Sequence, residues 1–161
     1  MKQQTFSDYE YANRRRKTRR ELFLDTMEEL IPWEEWTEWI RPHYPSGRRG
    51  RPPKDLETML RMYLLQDWFL LSGEGIEDAI YDSYALRSFM HIDFFEEQVP
   101  DATTLLKFRQ LLERHGIGEK IRADLRERLD KKGFVLLSGS VADPAIVATP
   151  EAVRESRAEQ E

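Results

Sequence analysis

The stretch DLETMLRMYLLQDWFLL, from Asp55 to Leu71, constrains the fold more than any other part of the sequence. It is long enough for about five turns of α-helix, and its apolar residues would lie nearly all the way round such a helix. A helix without a polar face is stable only when other elements cover it. We therefore predict a helical domain with residues 55–71 as its buried axis.

Composition and the amino terminus favour a cytoplasmic protein. The chain has 161 residues, of which 40% are apolar, enough for one domain with a real core. It has no cysteine, which excludes disulfides, thiolate metal sites and cysteine nucleophiles. The first residues lack the apolar core of a signal peptide, and Arg61, Gln66 and Asp67 interrupt the densest apolar run. We expect neither export nor a membrane span.

Charge is distributed unevenly along the chain. Residues 1–54 contain 12 Lys or Arg and 9 Asp or Glu, a net charge of +3, whereas the remaining residues carry −8 of the total of −5. The front of the protein is therefore its electropositive end, and a polyanion is expected to contact that end.

Further helices are predicted on both sides of the axis. Two short helices precede it and are separated at Pro32, because proline breaks an existing helix but fits the first turn of a new one. SGEG at 72–75 is predicted to end the axis helix. Three more helical units follow at 76–90, 100–116 and 118–133, and the β-type runs FVLL and SVADPAIV then suggest a hairpin.

The run NRRRKTRR is the densest group of cations. Cations at this density hold phosphates through counterion release, although a solvated helix start explains them equally well. The residues concerned are Arg14, Arg15, Arg16, Lys17, Arg19 and Arg20.

Residues 41–53, RPHYPSGRRGRPP, are predicted to be a linker, because they contain four prolines and two glycines. Within them GRRGRPPK resembles the AT-hook, whose Arg-Gly-Arg-Pro core binds the minor groove of A·T-rich DNA. This resemblance implies groove contacts from Arg48, Arg49 and Arg51, and the alternative is a plain proline-rich linker.

The helices at 76–90 and 102–115 are compatible with a helix-turn-helix, although the loop between them is longer than usual for that motif. In the second helix Leu105, Phe108 and Leu112 form an inner stripe. Four polar residues would then face a major groove or, in the alternative, only solvent. They are Lys107, Arg109, Gln110 and Arg114.

Three other features of the sequence bear on binding and catalysis. The tryptophans of WEEWTEW recur at helical spacing and indicate either a packing stripe or a dimer face. His43, His91 and His115 lack the spacing of metal ligands. Asp143 precedes Pro144, as a turn-forming aspartate does, and one carboxylate cannot hold two hard cations that each want about six oxygen ligands.

Taken together, these stretches resemble the N-terminal part of bacterial insertion-sequence transposases of the DDE type, in the insertion-sequence-five group. The likeness is carried by TFSDYEYANRRRKTRRELFL, by GRPPKDLETMLRMYLLQDWFLLSGEGIEDAIYDSYALRSFM, by PDATTLLKFRQLLERHG and by GSVADPAIVATP, and it covers residues 5–150. It implies a helical region that binds terminal inverted repeats, followed by a ribonuclease H-like domain.

The resemblance also implies roles for single residues. Asp143 corresponds to the first catalytic carboxylate, which in the family shares Mg²⁺ with two further acids that are absent from this sequence. We therefore expect a truncated chain that is inactive alone and does not hold Mg²⁺ stably. The expected organisation is mainly α, with a DNA-binding region at 1–132 (linker 41–54), the first β-hairpin of an incomplete ribonuclease H-like domain at 133–150, and a charged tail at 151–161.

The expected function is binding of transposon-end DNA, with an affinity that falls as salt is added. The expected partners are double-stranded DNA with terminal inverted repeats and either a second copy of the chain or full-length transposase. The alternative is a regulatory or inhibitory fragment that dimerises with full-length transposase through the tryptophan stripe.

Overall fold

The computed structural model describes residues 6, 9–10, 13–14, 16–45, 47, 50, 52–139 and 143–160. Within these residues the chain is mainly helical and ends in a small antiparallel hairpin followed by a helix, which confirms the predicted fold class. In chain order the elements are α1 (Arg19–Leu30), α2 (Trp33–Ile40), α3 (Leu56–Phe69), α4 (Gly73–Asp82), α5 (Tyr84–Met90), α6 (Ala102–Arg114), α7 (Ile117–Lys131), β1 (Phe134–Leu137), β2 (Ala145–Ala148) and α8 (Pro150–Gln160).

Helix α3 is the predicted buried axis. Asp55 caps its start by accepting a hydrogen bond from the backbone N–H of Thr58 at 3.1 Å. Its side chains are buried on nearly every face, and α2, α4, α5 and α6 all pack against it. The prediction that SGEG ends this helix is wrong, because Leu70 ends it in a left-handed conformation and Ser72 already caps α4.

Arg61 is buried inside this apolar axis, with 2% of its side chain exposed. Its guanidinium pairs with Glu28 of α1, donates a hydrogen bond of 2.8 Å to the carbonyl of Phe89, and lies 3.9 Å from the centre of the Trp33 ring. A buried charge requires such partners, because burial removes its hydration. Arg61 therefore joins α1, α2 and α5 to the axis.

Helices α1 and α2 meet at Pro32, as predicted. Thr18 and Glu21 form a reciprocal capping box at the start of α1. In α2 the Trp36 side chain is completely buried, and its indole N–H donates to Asp124 of α7 at 2.7 Å. Trp33 lies under Arg61, and Trp39 under the ammonium of Lys120 at 4.0 Å. The packing interpretation of the tryptophan stripe is confirmed, since all three rings contact residues of their own chain.

The prediction of one helical unit at 76–90 is wrong. The chain breaks at Ser83, whose backbone N–H donates to the carbonyl of Ala79 at 2.8 Å to end α4. The Ser83 hydroxyl then caps α5 by accepting from the N–H of Leu86. A serine that satisfies the end of one helix and the start of the next permits a sharp bend.

The hairpin pairs Val135 with Val147 and Leu136 with Ile146. It is anchored to the axis, because the N–H of Gly139 donates to the carbonyl of Trp68 at 2.8 Å. The predicted charged tail forms helix α8. No helix in the part of the chain that the structure describes is long and apolar enough to cross a membrane.

Candidate functional site

Helix α6 has one buried face and one exposed face. Asp101 caps its start by accepting from the N–H of Thr104 at 2.7 Å. Leu105, Phe108 and Leu112 are buried, as predicted, and they hold the helix against α3 and α4. The opposite face therefore has a fixed orientation relative to the core.

Three polar residues on that face form what we call the α6 stripe: Lys107, Gln110 and Arg114. Their spacing of three and four residues places them on one side of the helix, and all three are exposed. None of them forms a hydrogen bond or ion pair with another residue that the structure describes. Two uncompensated cations and one amide are thus presented together.

Arg109 does not belong to the stripe, contrary to the prediction. Its guanidinium donates to the side-chain oxygen of Gln66 at 2.9 Å and lies 5.4 Å from the centre of the Tyr63 ring. Both partners are on α3, so Arg109 fastens α6 to the axis. Helical periodicity predicts that Arg109 points outward. The prediction fails because a long side chain can bend back over a neighbouring helix.

The predicted helix-turn-helix has a different arrangement. Its first member is broken into α4 and α5 at Ser83, and residues 91–101 separate α5 from α6. The motif needs a turn of about three or four residues between its helices. Helix α6 nevertheless packs on α4, so the second member of the predicted pair stands on a rigid support.

The residues that flank the predicted arginine-rich linker are attached to α6. The Tyr44 hydroxyl donates to the backbone carbonyl of Lys54, and the Tyr44 ring contacts the Phe108 ring edge to face at 6.1 Å. Burial, assisted by the carboxylate of Asp55, raises the pKa of Tyr44 to about 12, so the hydroxyl remains a donor at ordinary pH. Residues 44 and 54 therefore close the intervening segment into a loop.

A second contact lies at the end of α6, where the His43 and His115 rings stack at 3.7 Å. Partial loss of hydration, followed by the proximity of His43 and Arg114, lowers the pKa of His115. We call His43, Tyr44 and Lys54 the loop base. The sequence predicts a linker without regular structure, and this is wrong for its first residues, because Arg41–His43 form a 3₁₀ turn.

The loop itself is described only in part. Arg48, Arg49 and Arg51, which the sequence assigned to a minor groove, lie outside the described residues. Gly50 has a φ of +75°, and a Cβ added there would have no atom within 4 Å. The loop base places the start and the end of this arginine segment beside α6, the helix that carries the stripe.

Cations just before and at the start of α1 surround a second feature, which we call the α1 notch. It is an open cavity of about 870 Å³ whose walls include Arg16, Arg19 and Arg20 of the basic run, Ser83 of the α4–α5 break, and Asp143. Arg16 and Arg19 are exposed and form no ion pair with any residue in the described ranges.

Two other cations of the basic run are paired with acidic residues. Arg14 forms two hydrogen bonds of 2.6 Å with Glu21, which is the main reason that the pKa of Glu21 is lowered. Lys17 pairs with Asp25 at 2.7 Å, and this hydrogen bond raises the pKa of Lys17. Arg15 lies outside the described residues. Because Arg14 and Lys17 are already neutralised within the chain, Arg16 and Arg19 present most of the charge available here.

Asp143 lies just before β2, in a loop, whereas the sequence pattern placed it within a strand. Its two carboxylate oxygens accept hydrogen bonds of 3.0 and 2.8 Å from Nε and Nη2 of Arg20. Arg20 also donates from Nη1 to the Ser83 hydroxyl at 3.3 Å. Sequence reasoning missed this constellation, because no local signal joins positions 20, 83 and 143.

The described residues do not fit the Mg²⁺ site that the sequence resemblance implies. Both oxygens of Asp143 are engaged by a guanidinium, and no group of three or more His, Cys, Asp or Glu able to hold a metal ion occurs among the residues that the structure describes. A hard divalent cation takes about six oxygen ligands.

Comparison with known families identifies a transposase domain in the chain. The family model described as Transposase domain (DUF772) matches residues 12–111, which is 100 of the 161 residues. The match includes the cations of the α1 notch, the loop base and most of α6, and it ends before α7 and the hairpin. No solved structure matches the chain.

Proposed function

Since the chain belongs to the Transposase domain (DUF772) family, we propose that it binds the DNA of transposon ends, as the recognition part of a transposase. The observation that carries this proposal is the position of the loop base on α6. Tyr44 and His43 contact Phe108 and His115, so the residues that begin the arginine-containing loop are attached to the helix that carries the α6 stripe. Two sequence regions that are separated by about 60 residues then act on one duplex.

Electrostatics favours a nucleic acid at this surface. Lys107 and Arg114 have no acidic partner among the described residues, so contact with phosphates would release counterions without breaking internal ion pairs. The part of the chain after residue 54, to which the stripe belongs, carries −8 in total, so most of its surface repels a polyanion and these two exposed cations are a local exception. The preferred partner is therefore a polyanion that approaches along α6.

The chemistry of the side chains suggests a division of roles. Lys107 and Arg114 fix the position on the backbone, since phosphate contacts orient a protein without reading sequence. Gln110 lies between them and has both donors and an acceptor, the combination that pairs with an adenine edge in a major groove. The arginine segment then reaches the neighbouring minor groove, where closely spaced arginines are attracted by the negative potential.

A finer assignment rests on the sequence resemblance. We propose a DDE-type enzyme of the insertion-sequence-five group that works in the bacterial cytoplasm, with Asp143 as its first catalytic acid and the hairpin as the start of a ribonuclease H-like domain. These 161 residues alone are then expected to bind no Mg²⁺ stably and to cut no DNA. Translation of the nucleotide sequence beyond codon 161 in all frames tests this, because it should contain the two further acids.

A regulatory fragment that pairs with full-length transposase is the second candidate. The tryptophan stripe does not support it, because its rings pack within the chain. One observation does favour it: Val135, Leu137 and Val147 form an exposed apolar face of the hairpin, with 44%, 51% and 41% of their surface accessible. Size measurement by light scattering separates the two readings, since a stable dimer without DNA affinity supports the regulatory one.

The test of DNA binding compares two matched double variants. Lys107→Gln with Arg114→Gln removes both cations of the α6 stripe. Arg126→Gln with Lys132→Gln removes an arginine and a lysine that are likewise exposed, on and just after α7. Binding of a labelled duplex is measured by fluorescence anisotropy over a range of salt concentrations.

We expect the stripe variant to lower the slope of log affinity against log salt by about two, since each lost phosphate contact removes about 0.9. The α7 variant should leave that slope nearly unchanged. Equal losses in both variants would reduce the interaction to general charge attraction, and no binding by the unmodified protein at low salt would refute the proposed function.

A further inference from the structure

The guanidinium of Arg20 binds a carboxylate of the protein in a geometry that would also suit a phosphate. Its Nε and Nη2 hold the two oxygens of Asp143 side by side, at 3.0 and 2.8 Å. Planar, two-point pairing of this type is how arginine binds both carboxylates and phosphates. The α1 notch thus already contains one anion, and that anion belongs to the protein.

We propose that the α1 notch is a phosphate-binding site, and that Asp143 occupies it as an internal competitor until a phosphate displaces it. This inference rests on the proposed DNA-binding function, because a phosphodiester of the bound duplex is the intended ligand. The notch supplies the fork of Arg20, the hydroxyl of Ser83 at 3.3 Å from Arg20 Nη1, and the exposed cations Arg16 and Arg19.

The Arg20–Asp143 pair is suited to exchange. About a third of the Arg20 side chain and half of the Asp143 side chain are exposed, so water screens their attraction. A carboxylate has two oxygens, both of which Arg20 already uses. Inorganic phosphate has further oxygens, and a DNA strand has the oxygens of the next phosphodiester; these can reach Ser83, Arg16 or Arg19 at the same time. The incoming ligand therefore makes contacts that Asp143 cannot.

The acidic groups in the notch limit which anion can enter. Glu21 and Asp82 also line it. Glu21 is engaged by Arg14 and by the Thr18 cap, whereas Asp82 repels anions from the α4 side. A phosphate is therefore expected to approach from the side of Arg16 and Arg19, the direction in which the basic run continues.

The exchange has a consequence for Asp143. When a phosphate takes the fork of Arg20, the carboxylate loses its only hydrogen-bond partner among the described residues and becomes free for other ligands. By thermodynamic reciprocity, whatever binds the freed Asp143 also strengthens phosphate binding at Arg20. The Arg20–Asp143 pair thus couples binding of a backbone phosphate to release of the Asp143 carboxylate.

The first test uses inorganic phosphate, so that it does not depend on DNA. The arginine Nε–H signal of Arg20 is followed by NMR in the full chain as phosphate is added. Asp143→Asn should bind phosphate about five-fold more tightly, the factor expected when an exposed ion pair of about 1 kcal/mol no longer competes. Asp130→Asn, the same change at an exposed position on α7, should have no effect.

The decisive comparison introduces Asp143→Asn into an Arg20→Lys protein, because lysine keeps the positive charge but cannot form the two parallel hydrogen bonds of arginine. In that protein Asp143→Asn should not increase phosphate affinity. A gain that persists in the Arg20→Lys protein, or unchanged phosphate affinity in Asp143→Asn, would overturn the inference and leave Arg20–Asp143 as a structural pair.

The second test repeats these comparisons with a short duplex. A gain for Asp143→Asn with both phosphate and duplex supports the whole inference. A gain with phosphate but no duplex binding by any variant would retain the anion site and refute the proposed function. A gain with neither ligand, while the duplex still binds, would refute the notch alone.

Discussion

The imidazole rings of His43 and His115 stack with their centres 3.7 Å apart and their planes 16° from parallel. His43 belongs to the loop base and His115 is the C-terminal cap of α6, so this contact attaches the loop to the end of that helix. Stacking of two neutral rings is favourable, whereas two protonated rings at this distance repel each other. Arg114 adds a further positive charge close by. Attachment of the loop to α6 is therefore expected to depend on pH.

The sign of this dependence follows from the lowered pKa of His115. Since the attached state disfavours the proton, the detached state binds more protons near pH 6, and attachment becomes stronger as pH rises. It should be complete above about pH 6.5, the ordinary pKa of histidine, and weaken as pH falls further. Nuclear Overhauser contacts between the two rings should be present at pH 7.5 and lost at pH 5.5. His115→Asn should abolish these contacts at both pH values, and ring contacts that persist unchanged at pH 5.5 would contradict the prediction.

Tyr44→Phe should weaken DNA binding without unfolding the protein. The change removes the hydrogen bond that joins residues 44 and 54 but keeps the ring on Phe108, so the arginine segment gains freedom that binding must remove again. We expect a loss of affinity of about three- to ten-fold, equivalent to about 1 kcal/mol, in anisotropy measurements. Tyr81→Phe is the matched control, because among the residues that the structure describes its hydroxyl hydrogen-bonds only to Gln98, at 3.4 Å. Equal losses in both variants would argue against a role for the loop base.

The helices were predictable where their signals are local. The apolar run of α3, the break at Pro32 and the inner stripe of α6 each follow from residues within one or two turns. The division at Ser83 was missed for a physical reason. A helix tolerates a serine in its interior, so the sequence alone does not reveal that Ser83 ends one helix and caps a second.

The candidate site was less predictable, because its parts meet only in the tertiary fold. Sequence reasoning found Lys107, Gln110 and Arg114 by their periodicity, but it also placed Arg109 outward, where a long side chain turns back onto α3. Nothing in the local sequence indicates that Arg20 would hold Asp143, or that Tyr44 would contact Phe108. Such contacts depend on how helices pack, which a one-dimensional pattern does not specify.

Trp36→Phe should lower the free energy of unfolding by about 2 kcal/mol, because it removes a buried hydrogen bond and leaves unfilled space. Urea denaturation at two protein concentrations measures this. The loss should be independent of concentration, since Trp36 packs on its own chain. A loss that appears only at the higher concentration would instead place this tryptophan in a dimer contact.

The same variant should change the response to acid. Burial acts to raise the pKa of Asp124, but hydrogen bonds from Arg128 and Trp36 outweigh it, and the pKa is lowered. A lowered carboxylate pKa stabilises the fold above about pH 4 and loses this effect as pH falls through the folded-state value. The stability difference between the unmodified protein and Trp36→Phe should therefore shrink below about pH 4. A difference that stays constant down to pH 2 would contradict a role for the Trp36–Asp124 bond.

Arg61→Met should be the most damaging of these substitutions, although it replaces a charge by an apolar side chain in an apolar core. Glu28 and Glu57 are each partly exposed and can regain water, but the carbonyl of Phe89 loses its donor and Trp33 loses the cation stacked on it. We expect a loss of about 2–4 kcal/mol in urea denaturation. Arg122→Met, which breaks a more exposed pair with Asp67, should lose less than about 1 kcal/mol. A fully stable Arg61→Met protein would mean that packing alone holds α1, α2 and α5 on the axis.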